Sequence, residues 1–129
     1  MLPRNSRVRT PAEFSETLRS GARAGRRNVV VSAHLNATEV KAGFIVSKAV
    51  GNAVVRNRVK RRLRSAVAQQ MAGPLKGHPG ALLVIRALPP SGDADWTELA
   101  GDVESGIRSA LAKAERGRAS QSSRSGQRA

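Results

Sequence analysis

Residues 52–71 read Asn52-Ala-Val-Val55-Arg56-Asn57-Arg58-Val59-Lys60-Arg61-Arg62-Leu63-Arg64-Ser-Ala66-Val-Ala-Gln-Gln-Met71. At about 3.6 residues per turn, Val55, Val59, Leu63 and Ala66 fall on one stripe, and Asn57, Arg61 and Arg64 fall opposite. Arg58 and Arg62 lie on one flank, Arg56 and Lys60 on the other. A helix with one apolar stripe must lay it on another element, and the flanking sequence supplies strands on both sides. Residues 28–35 contain Val29-Val30-Val31, and residues 40–47 contain Phe44-Ile45-Val46. Residues 81–87 carry Leu82-Leu83-Val84-Ile85, a short apolar run of the kind that forms a buried strand.

Punctuation fixes the boundaries. Asn36-Ala37-Thr38 reads as a turn, Gly51 breaks the second strand, and Asn52 is a good N-cap for the helix. Gly73-Pro74 and residues 77–80 form a loop, and Pro89-Pro90 stops the last strand. Upstream, Thr10-Pro11-Ala12-Glu13 combines a cap, a first-turn proline and an acid three residues after the cap. It opens a helix with Phe14 and Leu18 on one face. Gly21 ends that helix, and Gly25 falls in the loop beyond. Residues 95–114 read as the last helix, with Trp96, Leu99, Val103, Ile107 and Leu111 at helical spacing and Gly101 and Gly106 as weak points. The expected division is a basic irregular segment over 1–9, one domain over 10–115, and a disordered Ser/Gly/Arg/Gln-rich tail over 116–129. The order helix, strands, helix, strand, helix defines an α+β fold, a small sheet packed with helices.

Composition bounds the function. The 129 residues carry 23 Lys+Arg against 9 Asp+Glu, a formal net charge of +14. Such an excess repels itself in a folded domain unless an anionic partner offsets it. Aromatics are 2% of the chain, so the core must be aliphatic. The absence of cysteine excludes disulfides and thiolate metal sites. No apolar run of signal-peptide or membrane-spanning length occurs, and a cytoplasmic protein with no membrane partner is expected.

The charge is concentrated on the helix. Six of the nine residues from Arg56 to Arg64 are basic, and no Asp or Glu lies between Glu39 and Asp93. A merely solvated helix usually mixes signs along its face. A membrane-surface helix would carry large apolar side chains instead of a Val/Leu stripe. Structured RNA fits better. Arginine forks onto phosphate and stacks on bases, Asn57 adds a neutral donor and acceptor, and the helix start near Asn52 offers free N–H groups.

The run Gly43-Phe-Ile-Val-Ser-Lys48-Ala-Val-Gly-Asn52-Ala-Val-Val-Arg56-Asn57-Arg58-Val-Lys60-Arg61-Arg62-Leu-Arg64 resembles the signature of the bacterial ribonuclease P protein subunit. That family's helix carries Arg-Asn-Arg followed by Lys-Arg and a further Arg, preceded by Ser-Lys and Gly-Asn. The likeness extends over about residues 5–114, from Arg9-Thr-Pro-Ala-Glu-Phe14 to the Trp96 helix. It implies the order α-β-β-β-α-β-α with a left-handed crossover, whereas the general rule favours the right hand. The residues show only two strands before the basic helix, so Gly43 is a point at which the second stretch could divide.

The resemblance also implies a role. It is that of the protein subunit of a ribonucleoprotein that removes the 5′ leader from precursor tRNA. The chemistry lies in the catalytic RNA, with Mg2+ held through that RNA. Lys48, Asn52, Arg56, Asn57, Arg58, Lys60, Arg61, Arg62 and Arg64 are then the RNA-binding set. A separate cleft holds the single-stranded leader. Phe14 matches its aromatic, while Leu18, Asn28 and Val31 stand where the family often has further aromatics, and Leu18 and Val31 are retained as cleft residues beside Phe14. The partners implied are the catalytic RNA and precursor tRNA; no protein partner is indicated.

No catalytic group is expected in the protein. His34 and His78 are isolated and read as surface or loop residues. Glu98 and Asp102, four apart on the last helix, could hold a metal but read better as a solvated face, so no protein metal site is expected. The competing function is a ribosomal or other structural RNA-binding protein without a nuclease role. An architectural DNA-binding protein is a third class, for which neither a dimerisation surface nor a wedge residue is evident.

Overall fold

The computed structural model describes residues 17–18, 21–35 and 39–128. The four strands are β1 (Ala22–Gly25), β2 (Val29–His34), β3 (Val40–Ile45) and β4 (Ala81–Ala87). They form one sheet in the order β1-β2-β4-β3. β1 pairs with β2, and β2 with β4, antiparallel; β3 and β4 run parallel. Parallel neighbours need a long connection, and here it contains helix α1 (Ala53–Ala72). Helix α2 (Trp96–Arg128) closes the chain.

β4 is central because its sequence is apolar on both faces. Leu83 and Ile85 join a core that includes Val29, Val31 and Ala33 of β2, Val59, Leu63 and Val67 of α1, and Leu99, Val103 and Ile107 of α2. Both helices therefore pack on one face of the sheet. Leu82 and Val84 point to the other face and are also buried. Along that second face, Val30, Arg86 and Ile45 lie side by side across β2, β4 and β3. Val30 and Ile45 are half-buried there and Arg86 is exposed.

The expected α+β class holds, but three boundaries differ. The strand missing from the sequence reading is Ala22–Gly25, in what reads as a loop, and Gly43 sits unbroken within β3 opposite Val84. Ala-Arg-Ala-Gly has little strand propensity of its own. It becomes a strand by pairing with β2, where Ala24 faces Val31 and is buried. The last helix begins at Trp96, one residue after the expected start, and its backbone is helical to Arg128. No proline interrupts it.

Of the expected first helix, Phe14 and residues 10–16 lie outside the described residues. Thr17 and Leu18 are helical, and the Gly21 N–H donates to the Thr17 carbonyl at 2.9 Å. A side chain at Gly21 would meet the Ala33 carbonyl oxygen at 2.8 Å.

Candidate nucleic-acid interface

Helix α1 is built locally from its N-cap. The Asn52 side chain accepts from the Val55 N–H at 3.0 Å, which satisfies one of the free donors of the first turn. The buried stripe is Val59, Leu63, Ala66 and Val67, with Val55 half-buried at its start. Burying that stripe turns Asn57 and Arg61 fully outward and leaves Arg56, Arg58, Lys60, Arg62 and Arg64 half-buried along the flanks. Lys48, in the 3-10 turn Lys48–Val50, and Asn52 are exposed at the N-terminal end. The structure thus brings all nine expected RNA-binding residues onto one helix and its leading turn.

The two flanks are not equivalent. Arg58 Nη2 donates to the Gly92 carbonyl at 2.9 Å, and Arg62 Nη1 donates to the Ala94 carbonyl at 3.0 Å. One i, i+4 pair therefore fastens α1 to the segment between the 3-10 turn Pro89–Gly92 and α2. Among the described residues Arg56, Lys60, Arg61 and Arg64 have no such tie. Among the described residues none of the six cations from Arg56 to Arg64 makes an ion pair; the described pairs lie elsewhere, as at Arg27–Glu98 and Arg108–Glu104. Arg56, Arg58 and Arg64 each also keep a buried Nε without an acceptor there. A cationic face without internal counter-charges keeps its donors free for phosphate.

Sequence reasoning missed the neighbour of this face. Helical spacing groups Trp96 with the apolar positions of the last helix, but the buried stripe begins at Leu99, and Trp96 is 36% exposed. As the first residue of α2 it lines a pocket of about 400 Å3 with Arg58, Arg61, Arg62 and Ser65. The signal available in sequence was its position at the very start of the helix, where a side chain can project beyond the core.

Of the expected leader-cleft residues, Phe14 lies outside the described residues and Val31 does not reach the surface. Val31 is fully buried on the helix-facing side of the sheet, its side chain against Gly106 of α2. Strand alternation forces this, because Val29, Val31 and Ala33 share one face. Asn28 is buried as well. Its backbone N–H and side-chain amide both donate to Asp102 Oδ2, at 3.0 and 2.8 Å, and the amide also reaches Glu98 Oε1 at 3.2 Å. Glu98 and Asp102 are therefore neither a metal pair nor a merely solvated face: they anchor the β1–β2 turn. Arg26 adds to that anchor through Ser105 Oγ at 2.7 Å and Ser109 Oγ at 2.6 Å. Leu18 is half-buried, and its carbonyl accepts from Arg23 Nη2 at 2.9 Å.

The histidines lie apart. His34 ends β2, while His78 Nδ1 accepts from the Gly80 N–H at 3.1 Å and its Nε2 lies 3.8 Å from Glu115 Oε1. Among the described residues no three His, Asp or Glu side chains converge, and no helix is long and apolar enough to cross a membrane.

A small α+β domain with an unpaired cationic helix presents a surface suited to a polyanion such as a nucleic acid. Comparison with known proteins makes this specific. Residues 2–111 match the family Ribonuclease P, and the chain belongs to that family. It is 54% identical over 112 residues to a ribonuclease P protein component of Kocuria rhizophila, covering 86% of this chain and 96% of that one. It is 44% identical over 121 residues to the corresponding component of Streptomyces bikiniensis, with 86% and 96% covered. Among solved structures it is similar to the RNase P protein of Staphylococcus aureus, with a TM-score of 0.65, 26% identity and 85% and 92% of the two chains covered. The RNase P protein of Thermotoga maritima shares the fold at a TM-score of 0.64 and 17% identity, over 77% and 92% of the chains. The function is that of the family, tRNA 5′ maturation by ribonuclease P, in which the protein is the accessory subunit.

Proposed function

We propose that α1 grips the catalytic RNA of ribonuclease P through Arg56, Asn57, Lys60, Arg61 and Arg64, with Lys48 and Asn52 at its leading end. The observation that carries this is the set of six cations on one rigidly packed helix with no carboxylate partner among the described residues. The reading places the protein in the cytoplasm with precursor tRNA as the substrate of the assembled enzyme. Mg2+ belongs with the RNA in this reading. The described residues of the chain offer no converging set of three acidic or imidazole donors to hold the ion.

The 5′ leader is assigned to the sheet face turned away from the helices. There the half-buried Val30 and Ile45 flank Arg86, an apolar and cationic row suited to a single strand. Leu18 stays in the cleft reading, and Phe14 lies outside the described residues.

The test is equilibrium binding of a transcribed bacterial ribonuclease P RNA across a salt series. Log affinity should fall linearly and steeply with log salt, as counterion release demands. A salt-independent affinity would mean that the basic face serves solubility only.

A further inference from the structure

We propose that the pocket between α1 and the start of α2 takes one unstacked ribonucleotide of the bound RNA, its base on the Trp96 indole and its phosphate on Arg58, Arg61 and Arg62. This rests on the RNA-binding reading above and adds a discrete subsite to it. The pocket measures about 400 Å3 and is lined by Arg58, Arg61, Arg62, Ser65 and Trp96. That size falls in the range of small-ligand pockets, about 300–1,000 Å3. No carboxylate lines it, and the carboxylate of nearby Asp95 is turned to the helix end, where it accepts from the Glu98 N–H at 2.8 Å.

The arginines are positioned before any ligand arrives. A guanidinium carries five N–H donors. Arg58 and Arg62 each commit one donor to a main-chain carbonyl, at Gly92 and Ala94, which fixes their position and leaves the others available. Arg58 Nε is shielded from water and has no acceptor among the described residues. The phosphate contacts therefore fall to the Nη donors that the main-chain carbonyls leave open. Arg61 is exposed, with freedom to close over a ligand.

Trp96 supplies the other half of the recognition. Trp96 is exposed although the stripe that follows it is buried. An aromatic ring beside fixed guanidiniums matches the two parts of a nucleotide, a flat base and a phosphate, and favours no particular base.

The chain has one tryptophan and no tyrosine, so its emission reports this pocket alone. The folded full chain is titrated with a transcribed ribonuclease P RNA, with AMP and with inorganic phosphate. The RNA should quench Trp96 at stoichiometric concentration, AMP only at far higher concentration, and phosphate not at all. Trp96→Leu should weaken RNA binding roughly tenfold, and Trp96→Phe should retain most of the affinity. Circular dichroism and melting of both variants establish that each is folded. Tight RNA binding with unchanged emission and a Trp96→Leu affinity equal to wild type would overturn the subsite while leaving the α1 interface standing. Quenching by AMP as potent as by RNA would assign the pocket to a free nucleotide and overturn the RNA source. Absence of any RNA binding would overturn both readings.

Discussion

Asn28 donates its backbone N–H and its side-chain amide to the same oxygen, Asp102 Oδ2, at 3.0 and 2.8 Å. This pair fixes the β1–β2 turn to α2 across 74 residues of sequence. Asp102→Ala strands two donors of a fully buried residue, a loss of about 2 kcal/mol. It should lower the urea midpoint without altering RNA affinity under conditions where the protein is folded. Glu98→Ala, which removes the longer bond from an exposed side chain, should cost less than half as much. Equal effects of the two variants would contradict the assignment of Asp102 as the anchor.

The two glycines of α2 should respond in opposite directions to alanine. Gly101 is exposed, with nothing within 4 Å of an added Cβ, so Gly101→Ala should stabilise by up to about 1 kcal/mol through helix propensity. A Cβ at Gly106 would meet Val31 Cγ2 at 2.7 Å. Val31 is buried and β-branched, with little room to rotate away. Gly106→Ala should therefore destabilise by about 1–3 kcal/mol despite the same gain in propensity. Thermal melts of the two single variants decide the matter, and a stabilised Gly106→Ala protein would contradict this packing.

Arg61 and Arg58 should separate binding from folding. Arg61 is exposed and makes no hydrogen bond among the described residues, so Arg61→Ala should leave the melting temperature within error. It should also reduce the slope of log affinity against log salt by about one contact. Arg58→Ala removes the bond to the Gly92 carbonyl as well. It should lower both RNA affinity and stability, the latter by about 1 kcal/mol. Arg58→Ala with wild-type stability would show that the Gly92 contact contributes nothing.

Opposite faces of the sheet should give opposite phenotypes. Val31→Ala opens a hole beneath α2 and should cost about 2 kcal/mol of stability, with no change in the preference for leader-bearing over mature tRNA. Arg86→Ala, on the exposed face, should leave stability nearly unchanged. In the assembled enzyme it should weaken precursor binding several-fold while sparing mature tRNA. A lost leader preference in a folded Val31→Ala protein would return the cleft to the helix side of the sheet.

What the sequence made legible were the features set by local rules. The α1 stripe and its Asn52 cap depend on spacing within a few turns, and β4 announces itself by an unbroken aliphatic run. β1 was hidden because Ala22–Gly25 has no β-branched or aromatic residue, and only the register with β2 makes it a strand. Val29-Val30-Val31 has no alternation from which to tell the two faces of β2 apart, so the burial of Val31 beneath α2 shows only in the sheet register. The second task of Arg58 and Arg62 depends on carbonyls 34 and 32 residues away, which no helical wheel contains. Trp96 fitted the helical period of α2, but the fold leaves the first position of that helix beyond the sheet-facing core.

The central claim is that the protein works by assembling with a catalytic RNA through the outer face of α1. Its most direct test is reconstituted cleavage of precursor tRNA at near-physiological salt and Mg2+, with protein titrated into a fixed amount of ribonuclease P RNA. Wild-type protein should restore cleavage, RNA-free protein should give none, and the folded Arg61→Ala/Arg64→Ala variant should need at least tenfold more protein for half-maximal rescue. Cleavage by RNA-free protein, or rescue by the double variant at the wild-type concentration, would contradict the account.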